Sequence, residues 1–250
     1  MSETVATRLY IDAALAAGGD VELDATKAHR LRNVLRLGPG AAVAAFNARA
    51  GEWRCELSEL GRNRARLTVR ERLRPPEPET GPWLLFAPIK RAPLDWMVEK
   101  ATELGAEALL PVWTERTQSE RLNRERLQAE AIAAAEQCGR LSVPEIREPE
   151  RLDRILAVWP AERCLLLCDE SGAGAPLAEA LANFSPSAPC ALLVGPEGGF
   201  SDAELDAFGK LPIVTRVGLG PRVLRAETAA IAALAAFQAI SGDWHRVRRR

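Results

Sequence analysis

Two stretches near the C-terminus constrain this chain more than anything else in it: Leu193-Val194-Gly195-Pro196-Glu197-Gly198-Gly199-Phe200-Ser201 and Gly218-Leu219-Gly220-Pro221-Arg222-Val223-Leu224-Arg225-Ala226-Glu227-Thr228. Each follows an apolar, strand-like run and passes through a bend rich in glycine and proline into a helix. That is how an α/β protein presents bare backbone to a small polar ligand. After the first bend, Ser201-Asp202-Ala203-Glu204 reads as a capping box, in which Ser201 accepts from the Glu204 N–H and the Glu204 carboxylate reaches back, so a helix starts there. After the second, Glu227-Thr228 leads into Ala229, Ile231, Ala232, Leu234, Ala235 and Phe237, an apolar, alanine-dense helix able to pack closely on a neighbour. Neither bend is a P-loop, since Gly199 precedes Phe200 rather than Lys, and neither has the G-x-G-x-x-G spacing of a dinucleotide fold.

The rest of the chain falls into two parts. Pro75-Pro76-Glu77-Pro78-Glu79-Thr80-Gly81-Pro82 can neither continue a helix nor sit inside a sheet and reads as a semi-rigid linker, 75–82. Before it, in 1–74, short alternating runs (Ala42 to Phe46, Glu52 to Leu57, Ala65 to Arg70) are separated by turn-rich pieces, which predicts a small antiparallel β unit of barrel type. After it, in 83–250, strand-like runs at Leu84 to Pro88, Ala108 to Val112, Cys164 to Cys168, Cys190 to Val194 and Ile213 to Val217 alternate with helical ones. The helices are carried by Leu94, Met97, Val98, Ala101 and Leu104, by Asn123 to Gln137 and by Leu177 to Phe184. Such alternation predicts a mainly parallel sheet covered by helices, an α/β class.

With 47% apolar residues and 33 basic against 34 acidic ones, the composition is that of an ordinary globular protein rather than a disordered one. The N-terminus lacks a charged region followed by an apolar core, and no apolar run reaches membrane-spanning length, which predicts a cytoplasmic protein without membrane contact. Cys55, Cys138, Cys164, Cys168 and Cys190 are odd in number and mostly embedded in apolar runs, so they read as small buried hydrophobes rather than disulfides or metal ligands.

Charge is unevenly shared. Residues 1–74 carry thirteen Lys and Arg against nine Asp and Glu, and the remainder twenty against twenty-five. Lys27, His29, Arg30, Arg32 and Arg36 cluster on a short helix, while Arg62, Arg64, Arg66, Arg70, Arg72 and Arg74 recur at alternate positions, on one face of a strand and its continuation. Such a ladder suits phosphate backbone, or is simply a solvated face. His245, beside the basic tail Arg246 to Arg250, reads as peripheral.

Taken together, Leu193 to Ser201 and Leu219 to Ala229 closely resemble the two signature segments of the RsmE family, the ribosomal small-subunit RNA uridine N3-methyltransferases, which belong to the knotted SPOUT superfamily. The resemblance extends to Asp95-Trp96-Met97-Val98-Glu99-Lys100-Ala101-Thr102-Glu103-Leu104-Gly105, Glu115-Arg116-Thr117, Glu130 to Ile146, and His29-x-x-x-Val34-Leu35-Arg36-Leu37 with Pro39-Gly40. It implies a PUA-like β-barrel before a SPOUT-type knotted parallel sheet with flanking helices, the second bend threading the loop before it. It also implies S-adenosylmethionine bound by Val194, Gly195, Pro196, Glu197 and Gly198 on one side and by Val217, Gly218, Leu219, Gly220, Leu224 and Arg225 on the other. The partners implied are 16S ribosomal RNA in the small subunit, not DNA, and a second copy in a homodimer whose site borrows residues from both chains. The chain departs from the family at Arg91-Ala92-Pro93, where a Gly-Asp or similar polar pair is common.

In-line methyl transfer leaves the protein to align methyl and nucleophile and to manage the proton on uracil N3. Glu197, Arg225 and Glu227 are the candidate catalytic residues, a carboxylate to take the proton or an arginine to stabilise the developing charge. Glu227 would equally serve the helix dipole, and Arg225 an ion pair with Glu227 or Glu197. The RNA-contacting candidates are His29, Arg30, Arg32, Arg36, Arg64, Arg66 and Arg91, and no metal is expected. Competing readings are another SPOUT RNA methyltransferase, acting on a ribose 2′-hydroxyl or a different base, and a non-enzymatic RNA-binding assembly factor.

Overall fold

A computed structural model describes residues 5–118, 122–184 and 188–245; the basic tail Arg246–Arg250 lies outside them. The chain divides into two units, Met1–Glu79 with Ala135–Val143, and Thr80–Ala134 with Pro144–Arg250.

The first unit is built on five strands and one short helix: β1 (Arg8–Tyr10), β2 (Asp20–Leu23), α1 (Ala25–His29), β3 (Ala42–Asn47), β4 (Gly51–Leu60) and β5 (Ala65–Arg74). Their order is β1-β3-β4-β5-β2, antiparallel throughout except that β1 runs parallel to β3. Alternation decides the faces: Ala65, Leu67 and Val69 of β5 point into the core with Val43, Cys55, Leu57 and Leu31, leaving Arg66, Thr68 and Arg70 outside. Helix α1 is capped by Asp24, which accepts from the Lys27 N–H, and continues through a π-type turn, Arg30–Val34.

Residues 135–143 complete this unit, although the sequence pattern alone runs the second domain unbroken past them. Leu141 and Ala135 pack on Phe46. Arg8 donates to the carbonyls of Ala135, Glu136 and Arg140, and Arg74 to that of Gly139. In the proline-rich stretch, Glu79 accepts from the Leu141 and Ser142 N–H groups. Burial works against its charge, but these bonds, the Ser142 hydroxyl and Arg140 hold the carboxyl below its ordinary range. The linker is therefore pinned rather than merely stiff. Such contacts lie dozens of residues apart and leave no local signature.

The second unit contains β6 (Trp83–Phe86), α2 (Arg91–Glu103), β7 (Ala108–Trp113), α3 (Arg124–Cys138, its last turn in the 135–143 segment), β8 (Glu145–Ile146), β9 (Glu150–Arg151) and α4 (Leu152–Ala157). There follow β10 (Cys164–Cys168), β11 (Ala175–Pro176), α5 (Leu177–Ala182), β12 (Cys190–Val194), α6 (Asp202–Phe208), β13 (Val214–Gly218) and α7 (Ala226–Ile240). The sheet runs β11-β13-β10-β12-β6-β7-β8, with β9 on β7, and every pairing is parallel. Its central strands are continuous apolar runs because both faces are covered, as a parallel sheet requires. Helix α7 packs on α2, and its Gln238 amide donates to the Leu104 carbonyl at 2.7 Å. All five cysteines are free thiols; Cys55, Cys168 and Cys190 are buried, and desolvation pushes Cys55 up to about 11 and Cys168 to about 12. Cys138 and Cys164 are only half-buried. Among the described residues, no helix is long and apolar enough to cross a membrane.

Candidate active site

In an open parallel sheet, ligands gather at the carboxyl ends of the strands, and here four loops leave that edge together. Beyond β6 runs Ala87-Pro88-Ile89-Lys90; beyond β10, Asp169-Glu170-Ser171-Gly172; beyond β12 and β13, the two bends. Register sets their spacing: Cys168 of β10 lies opposite both Val194 of β12 and Val217 of β13, so the bends start one strand apart, roughly 10 Å.

The first bend is held from several sides. Gly199 donates to the Pro196 carbonyl at 2.9 Å, closing a turn. Gly199 itself has φ +66° and lies against Glu170, whose carboxylate occupies the space a Cβ would need. Across the bend Arg116 donates to the Gly198 carbonyl at 2.9 Å. The capping box forms as the spacing predicts: Ser201 accepts from the Glu204 N–H at 3.1 Å, and the Glu204 carboxylate accepts from the Ser201 N–H at 2.9 Å. Its other oxygen accepts from the Glu115 N–H, tying the loop after β7 to the same helix start.

The second bend is more open. Gly220 has φ +101° with nothing within 4 Å of the Cβ position, and Pro221, Arg222 and Val223 are exposed. Leu219 and Leu224 are half-buried. Arg225 is the N-cap of α7 through its carbonyl, which accepts from the Ala229 N–H, while its side chain makes no capping bond. Glu227 stands in the first turn, where a negative charge favours the helix dipole. Among the described residues, no ion pair joins Arg225 to Glu227 or Glu197.

Between the bends, a buried aspartate meets a partly exposed arginine, a pair that the sequence motifs do not mark. The Asp169 carboxylate, 2% exposed, accepts from Arg216 Nε and Nη2 at 2.9 and 2.7 Å and from the Ser171 N–H and hydroxyl. Burial opposes its charge, but the Ser171 and Arg216 hydrogen bonds outweigh it and keep the carboxyl below its ordinary range. Their chain separation of 47 residues hides them in a linear reading.

A cavity of about 600 Å³ opens beside the first bend, lined by Pro88, Ile89 and Leu94, by Lys90, Arg91, Arg116 and Arg126, and by Pro196, Glu197 and Gly198. Thus Glu197 and Arg91 share a cavity, whereas Arg225, Glu227 and the second bend do not line it. Arg126, which the sequence does not single out among 33 basic residues, pairs with Asp95; Arg91 lies 4.0 Å from the same carboxylate.

In the first unit, His29, Arg32, Arg36 and Arg64 are exposed. Arg30 instead pairs with the buried Glu136, and Arg66 with Glu59 and Glu22 at 2.8 and 3.3 Å. Arg62 and Arg64 sit in the loop before β5 rather than on the strand.

Residues 77–238 match the RNA methyltransferase domain family, and residues 23–70 the RNA methyltransferase PUA domain family. The chain is 30% identical over 229 residues to the ribosomal RNA small subunit methyltransferase E of Rickettsia conorii, covering 91% of this chain and 93% of that one. Among solved structures, a ribosomal RNA small subunit methyltransferase E of Neisseria gonorrhoeae bound to S-adenosyl methionine superposes with a TM-score of 0.82 at 30% identity, over 95% of this chain and 99% of that one. A Legionella pneumophila methyltransferase in complex with the bound cofactor SAM gives 0.82 at 28% identity, over 93% and 97%.

Proposed function

This chain belongs to the RNA methyltransferase family, and we propose that it transfers a methyl group from S-adenosylmethionine to N3 of a specific uridine in the 16S RNA of the small ribosomal subunit. The observation that carries the reading is the pair of bends at the carboxyl ends of β12 and β13, flanking β10 in a parallel sheet. The residues suit the donor: Gly220 leaves an open stretch of main chain, and the half-buried Leu219 and Leu224 offer apolar contact beside it. Val194, Gly195, Pro196, Glu197 and Gly198 would hold one side of it, and Val217, Gly218, Leu219, Gly220, Leu224 and Arg225 the other. When bound, the sulfonium supplies the electrophilic methyl group.

The chain's own work is to present the nucleobase and take its proton. N3 lies on the Watson–Crick edge, so the uridine must be unpaired or extruded before it is attacked. Glu197, the carboxylate that lines the cavity, would accept the N3 proton; Arg225 and Glu227, at the start of α7 beside the second bend, would stabilise charge as it develops. His29, Arg32, Arg36 and Arg64, exposed on the β unit, would meet RNA backbone. In a homodimer a second copy would cover exposed apolar side chains of this unit, for which Trp96, Val223, Ile240 and Trp244 are candidates. Threading of the second bend through the loop before it, and a cytoplasmic location beside the ribosome, belong to the same reading.

The test is a labelled-methyl assay on small ribosomal subunits isolated without the modification, with nucleoside mass spectrometry of the product. One methyl group on N3 of a single uridine is expected. A methylated ribose or another base would replace the reaction, and no transfer, with no heat on titrating S-adenosylmethionine, would remove the enzyme.

A further inference from the structure

The cavity beside the first bend carries more positive charge than the protein itself uses. Lys90, Arg91, Arg116 and Arg126 line it, against Glu197 on its wall and Asp95 behind Arg126. Asp95 serves two arginines at once, pairing with Arg126 and standing 4.0 Å from Arg91. Arg116 donates one N–H to the Gly198 carbonyl, a neutral acceptor, and no ion pair to it is found among the described residues. Among the described residues, Glu130 is a third carboxylate acting on Arg126, so four cations meet three carboxylates; burial together with the neighbouring charge of Arg91 outweighs Glu130 and presses the Arg126 guanidinium below its ordinary value. Uncompensated like charges beside one another raise the energy of the empty site and are relieved by an anion.

We propose that this cavity anchors a phosphodiester of the RNA next to the target nucleotide, Arg126 and Arg91 holding the phosphate oxygens with Lys90 and Arg116 at the rim. This rests on the methyltransferase reading above and deepens it. Guanidinium groups in a pair match phosphate oxygens by forked hydrogen bonds. Pro88, Ile89 and Leu94 make an apolar floor against which a sugar or base can lie, and about 600 Å³ is within the range of small-molecule pockets. Arg91 is 79% exposed, so the site is open to a polymer passing through rather than closed around a small ion. Because Glu197 lines the same cavity, a phosphate fixed there sets the place of the adjoining base relative to the bend. The rival anion is the carboxylate of the methyl donor itself, and the experiment separates the two.

Arg91→Ala, Arg126→Ala and Arg126→Lys are compared with the unaltered full chain in three measurements. These are donor affinity by calorimetry with S-adenosylmethionine, kcat/KM on isolated small subunits, and the salt dependence of subunit binding. For each alanine variant we expect kcat/KM to fall about tenfold or more and the slope of log affinity against log salt to drop by about one, with donor affinity unchanged within about twofold. Arg126→Lys should keep the slope and recover only part of the rate, because it keeps the charge and loses the fork. If Arg126→Ala fails to fold with Asp95 left alone, the exposed Arg91→Ala decides. Unchanged kcat/KM and slope in the alanine variants overturn the proposal. A loss of donor affinity matching the loss of kcat/KM gives the cavity to the donor's carboxylate and overturns it too. If the unaltered protein binds no donor at all, the methyltransferase reading falls first and takes this one with it.

Discussion

The arginines of β5 and those of the cavity beside the first bend look alike in the sequence and differ in what the fold does with them. On the β unit, Arg66 meets Glu59 and Glu22, Arg70 meets Glu56, Arg74 meets Glu52, and Arg72 stacks over Trp53, because antiparallel pairing brings β4 and β2 alongside at the matching register. Around the cavity, four cations converge from the loop after β6, the start of α2, the loop after β7 and α3, and Arg126 and Arg91 have to share the carboxylate of Asp95. Positive charge in a sequence is therefore a poor guide to positive charge on offer. What counts is whether the neighbouring strand supplies an acid.

Arg216 is the extreme of the compensated kind, since its partner Asp169 is almost fully buried. Replacing Asp169 with Ala should cost about 1–3 kcal/mol of unfolding free energy, read from urea denaturation, because it removes a buried carboxylate's hydrogen bonds while the partly exposed Arg216 turns to water; a loss below about 0.5 kcal/mol would show the pair to be solvent-screened after all. The same carboxylate has a pH signature. Its pKa is depressed on folding, so its contribution is fully present above the unfolded value of about 3.9 and is lost as pH falls through the lower folded value. The urea midpoint should accordingly decline below about pH 4, and less steeply in Asp169→Asn.

Arg225, for which no ion pair is found among the described residues, probes the catalytic end of the comparison. Arg225→Ala should slow methyl transfer about tenfold to a hundredfold while RNA affinity changes little, measured by single-turnover assay and filter binding. An unchanged rate removes it from the mechanism. The smallest effect sharpens the contrast within one strand and its loop: Arg64→Ala, exposed and ahead of β5, should reduce the salt slope of RNA binding by about one. Arg66→Ala, already engaged by two carboxylates, should change it by less. Equal slopes would mean that the Glu22 and Glu59 pairs open when RNA arrives.

Much of the second unit was legible beforehand, for a physical reason: buried parallel strands must be apolar runs, and helix starts carry their own capping chemistry. Cys164 to Cys168 and Cys190 to Val194 match β10 and β12 at both ends, and Ser201 with Glu204 announced α6. Elsewhere the ends shift by one or two residues, as with Ile213 to Val217 against the observed Val214–Gly218, because fraying ends are set by tertiary contacts. Short elements escaped altogether. The three residues of β1 and the pairs in β8, β9 and β11 carry no measurable period and exist only because a neighbour offers its edge.

Residue types and local spacing by themselves determined the α/β class of the second unit, the two bends and the residues that line them, because those depend on interactions within a few positions of the chain. Tertiary structure alone decided which charges are spent. It buried Asp169 against Arg216, gave Arg30 to Glu136, drew 135–143 into the β unit, and left Arg91 and Arg126 sharing Asp95. Electrostatic pairing acts over a few ångströms of space, and no distance along the chain encodes it.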